Sequence, residues 1–208
     1  MTSRIKQALI SNNIDVALLI EQMCAISAIK NKMVPIFDND VFKEVKSIDE
    51  FWRKLEIFWN IFDYELLEYV IEISDCMEAQ DILKQFVSRI DPSAVEDVNL
   101  VLHCREEHWE GSLQSVLRIK VNTEKCTSNI KKMVEEVVSK TYNLDRYALH
   151  FRGIKDGCIE LLYCISEPLK QYLLQFEISE SVVADYLAHK IISIHIDEFE
   201  LDITVSNN

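Results

Sequence analysis

Apolar residues recur at intervals of three and four through the first half of the chain, then change to alternation and short continuous runs in the second. The first pattern predicts amphipathic helices and the second predicts strands of a half-buried sheet. Asp15 can cap a helix running through Lys30, with Val16, Leu19, Ile20, Met23 and Ile26 as its apolar stripe, and the pattern breaks over residues 34–40 around Pro35. Ser47 and Glu50 form a capping box ahead of Phe51, Trp52, Leu55, Phe58 and Trp59. After a break at residues 60–63, Asp63 caps a helix with Leu66, Leu67, Val70 and Ile71 on one face and Glu65, Glu68 and Glu72 on another. A further helix is expected over about 78–90, with Ile82, Leu83, Phe86 and Val87 inward. Asp91-Pro92-Ser93 stops it, and Ser93 with Glu96 opens one more helix reaching roughly His103.

Beyond Gly111 the period changes. SVLRIKV, residues 115–121, reads as a strand, and Thr127 caps a helix whose inward face is Ile130, Val134, Val137 and Val138. Two apolar runs, YALHFRGI at 147–154 and CIELLYCI at 158–165, flank Asp156-Gly157, a strong hairpin signal. Ser166-Glu167-Pro168 opens a helix carrying Leu169, Tyr172, Leu173 and Phe176, and Ser179 caps a short continuation through Lys190. IISIHIDEFELDI, residues 191–203, closes the series as one bent strand or two. The order βαββαβ is that of the ferredoxin-like split βαβ sandwich. The chain is therefore expected to be α+β: an N-terminal all-helical bundle over residues 1–110, with 1–40 either part of it or a separate helical segment, and a ferredoxin-like antiparallel sheet with two helices over 111–208. The boundary is expected near 105–113.

Glycine usage supports this division, because all three glycines (Gly111, Gly153, Gly157) lie in the second half. The first half thus lacks the residues that tight hairpins demand. With 49% apolar and 27% charged residues the chain has the composition of a folded domain. No apolar run approaches the ~18 residues needed to cross a bilayer, and residues 1–10 hold no signal-peptide core. Six scattered cysteines without a Cys-x-x-Cys pair read as reduced thiols, so a cytoplasmic location is expected.

The net charge of −13 falls mainly on residues 1–110. Nucleic acid and anionic membrane are therefore not expected as partners, since no run of basic residues is longer than a pair such as Lys131 and Lys132. No catalytic, cofactor or metal site is expected. His103, Cys104 and His108 lack a fourth ligand at zinc-like spacing, the three glycines cannot write a phosphate-cradling loop, and no nucleophile elbow occurs. Tyr147, Phe151 and Tyr163 on the hairpin could form a base-stacking platform, but basic surroundings are missing. Glu65, Glu68, Glu72 and Asp75 line one helical face, which reads as solvated, with contact to a basic partner as its functional version.

Residues 51–72, FWRKLEIFWNIFDYELLEYVIE, hold two of the three tryptophans and read as a packed seam between two helices. Together with the hairpin YALHFRGIKDGCIELLYCIS they resemble a module of multidomain proteins from early-branching animals. In that module a "W…FW.F.DY.LLEYII" segment and a βαββαβ unit recur beside death-fold or NACHT-type signalling domains. The resemblance covers about residues 47–197 and carries no active-site residues. It implies a non-enzymatic interaction or adaptor module in innate-immune or cell-death-type signalling, with signalling proteins, including death-fold domains or a second copy, as partners. The competing expectation is a ligand- or nucleotide-sensing domain with a pocket at the domain junction, and behind it an RNA-binding sandwich.

Overall fold

A computed structural model describes residues 1–37, 40–56, 65–89, 115–124, 126–145, 147–155, 159–201 and 203. The described chain is α+β, with helices concentrated in the first half and a five-stranded antiparallel sheet in the second. The predicted break at residues 60–63, the helix reaching His103, the 105–113 boundary, the His103/Cys104/His108 group and the Asp156-Gly157 turn lie outside the described residues.

The first half contributes α1 (Thr2–Ser11), α2 (Val16–Cys24), α3 (Ile48–Leu55), α4 (Glu65–Ile73) and α5 (Met77–Val87). Asp15 caps α2 as expected, its carboxylate accepting from the Ala17 and Leu18 amides at 2.9 and 3.2 Å. The capping box of α3 forms with a shift: the Ser47 hydroxyl accepts from Glu50 N at 3.2 Å, while the Glu50 carboxylate reaches back to Lys46 N at 2.9 Å. Asp49 and Glu50 in the first turn of α3 and Arg53 and Lys54 in the last match the helix dipole. Phe51, Trp52 and Leu55 are buried, and the Trp52 indole donates to Glu56 at 3.0 Å, so this part of the aromatic stretch is core.

One helix is shorter than its periodicity predicts. α2 ends at Cys24 rather than Lys30 because Ala28 and Ile29 are needed elsewhere: both are fully buried against the second half, and Ile29 bridges Leu144. A tertiary partner here overrides an apolar stripe that is helical in isolation.

The second half contains β1 (Ser115–Val121), α6 (Ser128–Tyr142), β2 (His150–Lys155), β3 (Ile159–Ile165), α7 (Glu167–Leu174), α8 (Glu180–Ala188), β4 (Ile191–Ile196) and β5 (Phe199–Leu201). The sheet order is β2-β3-β1-β4-β5, every neighbour antiparallel. The first four strands thus take an order compatible with the split βαβ expectation, and β5 extends the sheet at one edge. Residues 191–203 resolve as two strands because Asp197 turns the chain at φ 51°. Burial alternates along β1, with Leu117, Ile119 and Val121 inward, whereas Leu161 to Ile165 of β3 are buried without interruption. That run marks a central strand covered on both faces.

The two halves share one continuous hydrophobic core. Residues 27–37 form much of the seam. Lys30 N donates to Asn143 O at 3.0 Å, Asp145 N to Ala28 O at 2.9 Å, and the Ser166 hydroxyl to Pro35 O at 2.6 Å. Phe37 stacks on His150 with ring centroids 5.6 Å apart and planes 13° from parallel. Asn143 ends α6 in the left-handed region at φ 54°, where asparagine is tolerated, and its side chain reaches Lys30 O at 3.1 Å.

Candidate functional site

The acidic face predicted on α4 stands at the side of a groove. Glu68, Ile71 and Glu72 of α4 face Gln80, Leu83, Lys84 and Val87 of α5, and Ser88 at its C-terminal cap, across a space of about 630 Å³. Both sets follow directly from helical spacing. Positions 68, 71 and 72 are i, i+3 and i+4, and positions 80, 83, 84, 87 and 88 continue the same rule over three turns. Ile71 and Leu83 are buried and form the floor with half-buried Val87. Glu68 is half-buried, and Glu72, Lys84 and Ser88 are exposed. Among the described residues the result is an apolar floor with two carboxylates along one wall and one ammonium on the other.

Of the three residues predicted to meet a partner, Glu68 and Glu72 therefore come together at the groove. Glu65 is the first residue of α4. Sequence reasoning assigned Leu83 and Val87 to the inner face of their helix and left Gln80, Lys84 and Ser88 without a role. The signal that finds them is the i, i+4, i+8 relation among these three positions.

Glu72 also acts on its surroundings. Tyr69, on the adjoining face of α4, packs against Tyr147 with ring centroids 5.1 Å apart. Burial pushes the Tyr69 hydroxyl's pKa up, and the charges of Glu72 and Asp145 push it further. The acidic wall thus connects to the seam between the halves through an un-ionised phenol.

Other candidate chemistry finds no such setting. Tyr147, Phe151 and Tyr163 are buried, and Phe151 meets Tyr163 edge-on at 5.5 Å inside the core. These three rings present no stacking platform, which removes the feature on which the RNA expectation rested. Cys24, Cys76 and Cys126 are free thiols, and burial raises that of Cys126 to about 11, far from a reactive thiolate. Among the described residues no group of three or more His, Cys, Asp or Glu side chains is placed to hold a metal ion. No helix of the described residues is long and apolar enough to cross a membrane.

A charged cluster at the end of the sheet has a structural explanation. Asp197 accepts from Val116 N at 2.8 Å and from the Lys170 ammonium at 2.8 Å, while Glu167 accepts from the Ser115 hydroxyl at 2.9 Å. Desolvation raises the Asp197 pKa, but its bonds to Lys170 and Val116 outweigh that and leave the carboxyl below its usual range. The cluster ties the β4–β5 turn to β1 and to the first turn of α7.

The fold and the groove together define an α+β protein with an acidic, apolar-floored surface cleft on a helix pair. Comparison of the chain with protein-family models, with curated proteins and with solved structures returns no match.

Proposed function

We propose that this protein is a non-enzymatic interaction module that receives a basic, amphipathic segment of a partner protein in the groove between α4 and α5. The supporting observation is the coincidence of Glu68 and Glu72 with the apolar floor of Ile71, Leu83 and Val87. Apolar burial supplies affinity in such a groove, and flanking carboxylates select partners of opposite charge. The strongly acidic first half adds long-range attraction for a basic partner. On this reading nucleic acid is not a partner, and the protein acts in the cytoplasm. The resemblance of residues 47–197 to modules found beside death-fold and NACHT-type domains supports a place in innate-immune or cell-death-type signalling.

The direct test is fluorescence anisotropy with a labelled amphipathic helical peptide bearing leucine on one face and lysine on the other. Binding should weaken by about tenfold or more when Glu68→Lys and Glu72→Lys are combined, and by a smaller factor at higher salt. Equal affinity of wild type and the double variant would remove the acidic wall from the proposal.

The groove's volume also falls within the ~300 to 1,000 Å³ of small-ligand sites, although it lies between two helices of the first half and not at the domain junction where the sensing alternative puts its pocket. Thermal melting against a nucleotide and metabolite panel separates the two. A ligand at about 100 times its dissociation constant stabilises by about 2.7 kcal/mol, and such a shift would favour sensing over the adaptor role.

A further inference from the structure

Residues 27–35 form a loop of unusual internal order. An isolated bridge joins Ser27 to Pro35 at its base. The Ser27 hydroxyl lies within hydrogen-bonding reach of the carbonyls of Ile29 (2.9 Å), Val34 (3.1 Å) and Lys32, and accepts from the amides of Ile29 and Val34 at 3.3 and 3.2 Å. Asn31 turns the tip at φ 65°. From outside, Asn143 holds both backbone groups of Lys30, and the Lys32 ammonium sits 4.5 Å from the centre of the Tyr172 ring.

Residues 30–33 at the tip are exposed, and Met33 is the apolar one among them. Met33 is fully exposed, the extreme among the exposed large apolar side chains, and exposed Lys30 stands near it on the same tip. A methionine on a loop whose backbone is already fixed loses little further backbone freedom on docking, and its flexible thioether suits an irregular apolar cleft. The chemistry such a tip needs is an apolar floor with carboxylates beside it, which is the chemistry of the α4/α5 groove. Because Met33 lies wholly in solvent, the loop does not fill the groove of its own chain.

We propose that the loop at residues 30–33 of one copy docks in the α4/α5 groove of a second copy, with Met33 over Ile71, Leu83 and Val87 and Lys30 against Glu72. The inference rests on the reading of that groove as a docking surface and names a second copy as its occupant. Loop and groove are different patches, so each molecule offers both a donor and an acceptor. A four-residue tip buries well under the ~1,200 to 2,000 Å² of a standard interface, and the net charge of −13 on each copy opposes association at low salt, so the association is weak.

Sedimentation of the full chain at physiological salt, where the repulsion between two chains of net charge −13 is screened, tests this. The wild type should gain mass with concentration between about 10 μM and about 1 mM, the range of weak complexes. Lys30→Glu alone and Glu72→Lys alone should each lose it, and a one-to-one mixture of the two variants should regain it, because each variant's altered patch then faces its electrostatic complement. Met33→Asp should also lose it with unchanged thermal melting. A wild type that stays monomeric throughout, or a mixture that fails to regain mass, would overturn the proposal. The lysine-bearing helical peptide distinguishes the two levels. Peptide binding to Met33→Asp without self-association of the wild type would fell only the second-copy inference, whereas failure of both would fell the groove reading with it.

Discussion

His150 shows how one side chain reports the seam between the halves. It begins β2, is almost wholly buried and stacks on Phe37. Burial pulls its pKa down from 6.5 to about 4, with a backbone hydrogen bond to Ile36 opposing and the charge of Arg152 assisting. The folded state therefore binds the proton less readily than the unfolded state. The stability held by neutral His150 is complete above pH 6.5 and is lost as pH falls toward 4, an effect on the order of 3 kcal/mol. Urea midpoints measured at pH 7 and pH 4.5 should differ less in His150→Phe than in the wild type. An equal difference would place the acid sensitivity elsewhere. Ser166 makes a second residue-scale case, because its hydroxyl accepts from Leu169 N at 3.4 Å to cap α7 and donates to Pro35 O. Ser166→Ala should cost about 1 to 3 kcal/mol in chemical denaturation, since it removes a cap and leaves a carbonyl unsatisfied. A loss well under 0.5 kcal/mol would show that water replaces both bonds.

At the scale of elements, α3 and α4 illustrate how a helix with strong local signals still depends on its neighbours. α3 carries its own cap, dipole-matched charges and an apolar face in eight residues, yet a helix of that length is marginal in water. Packing of Phe51, Trp52 and Leu55 into the core makes it stable. Phe51→Ala should therefore cost about 3 to 5 kcal/mol in equilibrium unfolding. A near-neutral result would mean that the seam collapses around the missing ring. α4 divides its faces differently: Leu66, Leu67, Val70 and Ile71 go inward while Glu68 and Glu72 meet the groove. The carboxylates were legible from their i, i+4 spacing. The groove was not, because it needs α5 at a particular distance and rotation, and periodicity fixes only which face of each helix is apolar.

For the whole molecule, one core runs through both halves and is joined by main-chain bonds at residues 28–30 and 143–145. Elements that share buried area and buried hydrogen bonds open together. Tryptophan fluorescence, which reports Trp52, Trp59 and Trp109 in residues 1–110, and far-ultraviolet circular dichroism should therefore give coincident urea transitions. Two separated transitions would show that the halves hold independent stability.

The sequence by itself determined the alternation of periods, and with it the helices of the first half, a strand and helix order compatible with βαββαβ and most caps, because these depend on contacts within a few residues. Asp15, Ser47, Thr127 and Ser166 all cap where their spacing placed them. Tertiary structure alone decided that α2 stops at Cys24 so that Ala28 and Ile29 can join the second half, that Tyr147, Phe151 and Tyr163 are core, and that β5 extends the sheet. It also decided that Ser27 fixes a loop with Met33 in solvent and that Glu68 and Glu72 border an apolar cleft. Each of these depends on partners distant in the chain, whose burial outweighs local preference and leaves no trace in the spacing of neighbouring residues.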